Sequence, residues 1–330
     1  MIESGSHTPG IAAADFGLPA GTALRYERPD PALEALFPSY AVLDSDLALL
    51  APDRPVEWML PGWAQIWIVL TAGPIRVRIG NRSYDPLKSA ILYGVTSRAM
   101  PTMASGGTTV VIDVSPLGWA RLFGADAEAL RDRITPLGEV LPTEWVTELV
   151  DTLQASDHAL EVKDRLDAFL LRHLAPPNRD EPLIARIMTL IADDRTDDLP
   201  VAAKAMGITV RTLRRLSKRY FGFPPKILLM RSRIIRAIVP MLLDGQDTPA
   251  PPPYHDASHF NRDGRRFLGT TPRRFRALAV PYLRAALRAR RQVIGSAMPA
   301  LDRAGDMPPG TAPPTEQASI ARQLDRDAQP

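Results

Sequence analysis

The residues best suited to a chemical task are five cations in one short series. They occur within nine residues that contain no carboxylate: Arg211, Arg214, Arg215, Lys218 and Arg219. Helical spacing places them on one face, with Leu213 and Leu216 on the opposite, apolar face. Lysine and arginine neutralise phosphates, and arginine also reads guanine through two hydrogen bonds. The series predicts a helix that binds DNA; the alternative is a solvated basic helix packed on a neighbour.

The segment before this helix has the pattern of a first helix and a turn. Pro200 suits the first turn of a helix, because its missing N–H is not needed there. Gly207 is the residue type expected where that helix ends, and Thr209 is a good N-cap for the next one. A short helix, a turn with glycine and a basic second helix are typical of a helix-turn-helix motif, whose second helix enters the major groove.

A second, similar pattern occupies Tyr254–Leu278. Asp256 is placed to cap a helix that ends at Gly269, and Thr271 with Pro272 provides a cap and a first-turn proline for another helix. The sequence therefore predicts a second helix-turn-helix unit after the first.

The two patterns together resemble the C-terminal DNA-binding domain of AraC-type transcription regulators. An R-T-L-x-R helix, a long connecting segment from Pro225 to about Leu243, then S-H-F-x-R and F-x-G-x-T-P-x-x-F-R follow in order within residues 182–280. The resemblance implies an all-α domain with two helix-turn-helix units. It implies DNA-contacting positions at Thr209, Arg211, Arg214, Arg215 and Lys218 in the first unit and at Ala257, Ser258, Asn261 and Arg262 in the second. Each arginine contacts either a base or only a phosphate, and the sequence leaves both open.

The second unit departs from the family pattern. Residues 244–253 read DGQDTPAPPP, and four prolines within five residues cannot form a helix interior. We therefore expect the first helix of this unit to be shortened or missing. Gly264 and Ser217 also stand where the family has apolar residues, and glycine weakens a helix. The proline run and Gly264 support an alternative function, a ligand-binding or interaction protein with a degenerate, weakly DNA-binding C-terminal domain.

Residues 57–115 are the most strand-like part of the chain. Four β-branched and aromatic runs are separated by turn residues and predict a small antiparallel sandwich or barrel: Ala64–Leu70, Pro74–Gly80, Ser89–Val95 and Thr108–Val114. This part resembles the cupin-like sensor domain that precedes many AraC-type DNA-binding domains. The predicted fold class is thus α+β: an N-terminal antiparallel β-barrel with a helical appendage, and a C-terminal all-α domain whose second helix-turn-helix unit is truncated.

The barrel lacks the residues of a metal enzyme. No histidine occurs between His7 and His158 and the chain has no cysteine, so a cupin-type iron or zinc site has no ligands. We interpret Glu57 and Asp113 as isolated surface carboxylates, and expect no catalytic residue, cofactor or metal. Aromatic residues suggest a small-molecule effector site instead: Trp63, Trp67, Tyr84 and Tyr93, with Trp58 beside them. The alternative is that these aromatics fill the core.

The charge of the chain is divided between its two halves. Residues 182–292 hold 22 Lys and Arg against 8 Asp and Glu, which makes them strongly basic within a chain whose net charge is only +3. A basic C-terminal region on an acidic N-terminal one indicates a nucleic-acid-binding module attached to a second domain. We expect a disordered N-terminus at 1–18, a sensor and dimerisation domain at 19–175, the DNA-binding domain at 182–292 and a disordered tail at 293–330.

The partners follow from these interpretations. We expect double-stranded DNA, a small-molecule effector and a second copy of the chain, and the family resemblance adds RNA polymerase. The sequence contains no run of eighteen apolar residues and no visible secretory signal, so a membrane is not expected as a partner. The lack of cysteine fits a reducing cytoplasm. Helices predicted between 116 and 174 either form a dimer interface or pack back onto the barrel.

Overall fold

The strands of the protein lie in its first half. The structure is a computed structural model that describes residues 1–50, 56–71, 76–79, 81–84, 88–103, 106–192, 198–244, 254 and 256–299. The described strands are β1 Thr22–Glu27, β2 Tyr40–Ser45, β3 Glu57–Met59, β4 Ala64–Thr71, β5 Arg76–Ile79, β6 Arg82–Tyr84, β7 Ala90–Tyr93, β8 Met100–Met103, β9 Gly107–Val114 and β10 Ile134–Pro136.

The strands form two antiparallel sheets. The larger sheet has the order β1-β2-β9-β4-β7-β10, and the smaller has the order β3-β8-β5-β6. Side chains of both sheets meet in one apolar cluster, which includes Trp67 and Val111 of the larger sheet and Val77 and Met100 of the smaller. The antiparallel architecture of the prediction is confirmed, but the described strands form two sheets and not one closed barrel.

Helices cover the other face of the larger sheet. They are α1 Pro116–Leu122, α2 Ala127–Leu130, α3 Thr143–Gln154 and α4 Val162–His173. Their apolar stripes, represented by Leu149 and Leu166, share a core with Ile66 and Ile112 of the sheet. These helices therefore pack back onto the strands, and a dimer interface on their outer face stays a prediction.

The second half of the described chain is helical. Its helices are α5 Glu181–Ala192, α6 Leu199–Ala205, α7 Val210–Phe221, α8 Pro225–Leu243, α9 Ala257–Phe267, α10 Pro272–Arg276 and α11 Pro281–Ile294. The long helix α8 is the predicted connector, and its apolar residues, such as Ile234 and Ile238, are fully buried. Among the described residues, no helix has the length and apolar character that crossing a membrane requires.

The first eighteen residues are ordered, in contrast to the expected disorder. The Ile2 N–H donates to Asp44 Oδ2 at 2.7 Å, and Gly5 forms a parallel bridge with Arg25. A short 3-10 helix at Ala13–Phe16 then buries Phe16 completely. Composition suggested disorder because this segment has no periodic apolar pattern; one aromatic anchor and a few backbone contacts order it instead.

Two other expectations lie wholly or largely outside the described residues. The proline-rich stretch expected to replace a helix falls on 245–253, and nearly all of the expected tail falls on 300–330. Helix α11 ends at Ile294, slightly beyond the expected domain end at 292.

Candidate DNA-binding surface and effector cavity

Helix α7 is positioned by its caps and its buried face. The Thr209 hydroxyl accepts a hydrogen bond from the Thr212 N–H at 3.1 Å, and Gly222 ends the helix with a φ of 74°. Leu213 and Leu216 are completely buried. Helix α6 precedes it, and Gly207 between them has a φ of 68°, which an L side chain rarely adopts. The first helix-turn-helix therefore forms through the signals seen in its sequence.

The outer face of α7 divides into two groups of cations. Arg211, Arg214 and Arg215 are exposed, and they form no ion pair or hydrogen bond with any residue that the structure describes. Farther along, Lys218 Nζ lies 3.1 Å from Glu128 Oε1, and Arg219 Nε lies 3.5 Å from an oxygen of Asp126. Three cations are thus open to a partner, while Lys218, a predicted DNA contact, is paired with the N-terminal half of the chain.

Helix α9 is the corresponding helix of the second unit. Asp256 caps it by accepting from the His259 N–H at 2.8 Å, and this hydrogen bond holds the pKa of the Asp256 carboxyl below its usual range. The predicted positions Ala257, Ser258 and Arg262 are exposed, and Asn261 is half-buried. The second helix therefore presents its predicted DNA-contacting residues next to an anionic cap.

Gly264 has a packing role that the sequence did not indicate. A Cβ atom at this position would lie 2.4 Å from Cδ and 2.7 Å from Cγ of Pro272. Glycine lets α9 approach the start of α10 this closely, so the residue is a requirement of this packing and does not by itself indicate decay. Ser217, the other departure, is completely buried, and its hydroxyl has no hydrogen-bond partner in the described part of the chain.

A cavity of about 620 Å³ lies between the two sheets and α11. Trp63, Trp67 and Tyr93 of the predicted effector site line it, together with Trp58. Tyr84 does not, because its hydroxyl instead accepts a hydrogen bond from the Ile134 N–H at 3.1 Å. The structure thus brings three of the four predicted residues together.

The polar part of the cavity wall was missed by sequence reasoning. Asp113 is only 5% exposed and lies in the cavity wall, not on the surface as expected. It accepts hydrogen bonds from Ser39 Oγ at 2.5 Å and Gln65 Nε2 at 2.7 Å, and lies 3.6 Å from Arg290 Nε. Gln65 in turn accepts from the Trp67 indole N–H at 3.1 Å. This network connects an aromatic wall with α11.

Glu57, the second carboxylate that we expected at the surface, instead lies in the cavity wall. It accepts from the backbone N–H groups of Tyr282 at 2.9 Å and Leu283 at 3.1 Å, and so caps the start of α11. Burial raises the pKa of the Glu57 carboxyl, and these two hydrogen bonds oppose the shift. Its place could not be read from the sequence, because Glu57 and α11 lie more than two hundred residues apart.

The cavity walls also contact both helix-turn-helix units. The ring of Trp63 lies edge-on to Phe221 of α7, with centroids 5.6 Å apart. Trp58 makes the same kind of contact with Phe275 of α10, also at 5.6 Å. The Ala99 N–H donates to the Phe267 carbonyl at 2.7 Å. The cavity wall is therefore in direct packing contact with both helix-turn-helix units.

Arg231 of α8 is the most deeply buried cation at this junction. It is 1% exposed, and its Nη1 donates to the carbonyls of Gly62 at 3.0 Å and Thr96 at 2.8 Å. Its guanidinium lies 4.8 Å from the centroid of Trp63. Burial lowers the pKa of Arg231 to about 10. In the sequence it resembled any other surface cation of a basic region.

The comparisons with known proteins concern the C-terminal region and the whole fold. A family model described as a helix-turn-helix domain matches residues 202–278. Apo ToxT from Vibrio cholerae, in a single-substitution variant, is similar at 10% identity with a TM-score of 0.40, covering 79% of this chain and 98% of that one. Wild-type ToxT from the same organism, bound to an unsaturated fatty acid, is similar at 12% identity with a TM-score of 0.38. The match covers 68% of this chain and 91% of that one.

A third solved structure, the AraC-like transcriptional activator CuxR, is similar at 11% identity with a TM-score of 0.20, covering 69% of this chain and 84% of that one. None of the curated proteins matches the chain. Two capped helices around Gly207, the basic face of α7 and the match over 202–278 agree with one another. Residues 202–278 therefore form a helix-turn-helix domain.

Proposed function

We propose that the protein is a sequence-specific transcription regulator that binds double-stranded DNA through α7. One observation carries this proposal: Arg211, Arg214 and Arg215 lie exposed and unpaired, among the described residues, on the second helix of a helix-turn-helix. Arginine can bind guanine through two hydrogen bonds in the major groove, which such a helix enters. Helix α9 adds the contacts of Ser258, Asn261 and Arg262.

The cavity supplies the regulatory part of the proposal. An effector held among Trp58, Trp63, Trp67 and Tyr93 would contact the residues on which α7 and α10 pack. A ligand shifts a conformational equilibrium only when it binds the two states with different affinity. Direct packing of the cavity wall on both units supports such a difference, because any movement of the two indoles changes the contacts of both.

We propose that the protein acts as a homodimer in the cytoplasm. A symmetric dimer would read two half-sites that are separated by about one turn of DNA. Contact with RNA polymerase would belong to the same role in transcription.

The alternative is a ligand-binding or interaction protein with a degenerate DNA-binding domain. One of its two supports has a structural explanation. Gly264 was one of its supports, and the contact with Pro272 gives that glycine a structural reason. Its other support, the proline-rich stretch, lies outside the described residues.

The experiment that tests the proposed function is selection from random-sequence duplex DNA, followed by sequencing, at near-physiological salt. The wild-type chain is compared with the Arg211→Ala/Arg215→Ala variant. We expect an enriched motif with the wild type and its loss with the variant. General, salt-sensitive binding without an enriched motif would contradict sequence-specific regulation.

A matched control separates the position of the charges from their number. Arg165→Ala/Arg172→Ala removes two exposed cations from α4, where they pair with Glu161 and Glu148. Surface ion pairs of this kind contribute little to stability. The control should therefore retain the motif, and its loss there would show that net charge alone governs binding.

A further inference from the structure

We propose that the cavity binds an organic cation, namely an amine or quaternary ammonium compound with an apolar body. This inference rests on the proposed function, because it names the chemical class of the effector. Three features of the cavity carry it: the balance of charge on its wall, its indole rings and two tyrosine hydroxyls that have no partner among the described residues.

The wall of the cavity holds more anions than cations. The carboxylates of Asp44, Glu57 and Asp113 line it, whereas Arg290 is the single lysine or arginine among the described lining residues. Arg290 is already engaged, because it lies beside Asp113 and its Nη1 donates to the Ser296 hydroxyl at 2.7 Å. An anionic ligand would have to compete with these partners and approach two further carboxylates. A cationic ligand would instead be attracted by the carboxylates of the wall.

The carboxylates have capacity left for a ligand. An ionised carboxylate can accept about four hydrogen bonds through its two oxygens. Glu57 accepts two, both from the backbone of α11. Asp44 accepts from the Ile2 N–H at 2.7 Å and the Thr108 hydroxyl at 3.3 Å. Both groups therefore retain acceptor sites at the cavity wall.

The indole rings add an attraction that favours cations. A cation over the face of a tryptophan, within about 6 Å of the ring centroid, is attracted by the ring quadrupole, and quaternary ammonium ligands are recognised in this way. Trp58, Trp63 and Trp67 line the cavity, and Tyr93 lies against Trp67 with centroids 4.8 Å apart. The protein already uses this interaction, since the Arg231 guanidinium lies 4.8 Å from the Trp63 centroid.

Two tyrosines that line the cavity have deeply buried hydroxyls. Within the described residues, neither Tyr93 Oη nor Tyr282 Oη has a hydrogen-bond partner, and both residues line the cavity. A buried polar group without a partner is costly, and such groups are normally satisfied by protein, water or ligand. A hydroxyl can accept a hydrogen bond from an ammonium N–H or donate one to a polar substituent on the ligand.

The test uses two probes of similar size and opposite charge, tetraphenylphosphonium and tetraphenylborate. Each is titrated into the full chain, and binding is followed by quenching of tryptophan fluorescence and by calorimetry. We expect saturable binding of tetraphenylphosphonium, with tetraphenylborate at least tenfold weaker. Equal binding, preference for tetraphenylborate or no binding of either probe would overturn the proposal.

Two variants test whether the selectivity between the two probes arises in the cavity. Glu57→Gln removes one negative charge and should weaken tetraphenylphosphonium binding severalfold while it strengthens tetraphenylborate binding. The matched control Asp164→Asn removes a charge whose side chain is 84% exposed on α4, and it should change neither affinity. If Glu57→Gln unfolds because it loses the cap of α11, the selectivity of the wild-type chain between the two probes decides the question.

The outcome for the ligand can be separated from the outcome for DNA binding. The same wild-type preparation is used in the DNA selection described above. An enriched DNA motif without cation selectivity would overturn the ligand class and leave the regulator intact. Cation selectivity without an enriched motif would support the ligand class and contradict the proposed function.

Discussion

The two helix-turn-helix units use the same local signals but present different electrostatics. Helices α7 and α9 both begin with a side-chain cap, and both bury an apolar face. Helix α7 has a neutral cap, Thr209, whereas α9 has the carboxylate of Asp256. An anion at a helix N-terminus stabilises the helix but repels the phosphates that approach that end.

The two helices also differ in their predicted DNA-contacting residues and in their neighbours. The first turns of α7 hold three arginines without a partner in the described part of the chain, and its last turn is paired with Glu128 of α2 and with Asp126 just before α2. Helix α9 offers Ser258, Asn261 and Arg262, and Asp256 lies close enough to Arg262 for the two charges to interact. We infer that α7 supplies most of the binding energy and that it is the helix under direct influence of the N-terminal half.

The largest expected effect concerns the packing of the second unit. Gly264→Ala places a Cβ atom 2.4 Å from Pro272 Cδ, so α9 and α10 must separate. Overpacking of this kind costs about 1–3 kcal/mol, and we expect a loss near the upper value because a proline ring cannot rotate away. Thermal unfolding and hydrogen exchange in α9 measure it.

The control for this substitution is Gly124→Ala, where no atom lies within 4 Å of the new Cβ. It should leave stability nearly unchanged. Equal stability of the two variants would show that α9 and α10 are not closely packed.

A comparison of two arginines tests which helix dominates DNA binding. Arg214→Ala should cost about 1–3 kcal/mol on the selected motif and relax base preference at one position. Arg262→Ala should cost less, because the Asp256 carboxylate already offsets part of its charge. Binding isotherms on the motif and its single-base variants measure both. A larger loss with Arg262→Ala would reverse our ranking of the units, and a uniform loss over all sequences would make Arg214 a phosphate contact.

The buried hydroxyl of Ser217, on the inner face of α7, provides a stability test of the first unit. Ser217→Ala removes, from a fully buried position, a hydroxyl that has no partner within the described residues, and it should stabilise the protein by about 1 kcal/mol. Ser258→Ala, at an exposed position of α9, serves as the control and should stay within about 0.5 kcal/mol of wild type. Both are measured by denaturant unfolding. Destabilisation by Ser217→Ala would mean that the hydroxyl has a partner in solution.

The smallest expected effect concerns the contact between the N-terminal half and α7. Glu128→Gln removes the partner of Lys218 and should raise DNA affinity by about 0.2–1 kcal/mol at moderate salt. The gain should shrink as salt is added, because exposed charges are screened. Glu144→Gln, an exposed carboxylate on α3, removes the same charge at a distance. Equal gains in the two variants would assign the effect to net charge and not to this contact.

The first helix-turn-helix was predictable from the sequence because its determinants are local. Thr209 caps the residues that follow it directly, and Gly207 adopts the conformation that its turn requires. Apolar spacing likewise indicated the strands and the buried face of α7. These features depend on neighbours within a few residues, where pattern and backbone chemistry suffice.

The cavity between the two sheets and α11 was only partly predictable. The aromatic residues cluster within one stretch of the sequence, so three of the four predicted residues line the cavity. Tyr84 lies in the same stretch, but the register of its strand directs its hydroxyl to Ile134 instead. Composition does not determine which face of a strand a residue occupies once the apolar alternation is weak.

Only the tertiary structure decided the remaining features. Helix α11 closes the cavity, Glu57 caps it, Arg231 inserts beneath Trp63, and Gly264 accommodates Pro272. Most of these contacts join residues far apart in the chain, and a buried arginine or carboxylate has the same local sequence pattern as an exposed one. The amino-acid sequence by itself determined a basic helix-turn-helix unit and an aromatic-rich sheet domain. Long-range packing decided which charges are buried, which are paired and which remain free to bind a partner, because burial and partner choice depend on surfaces that exist only after folding.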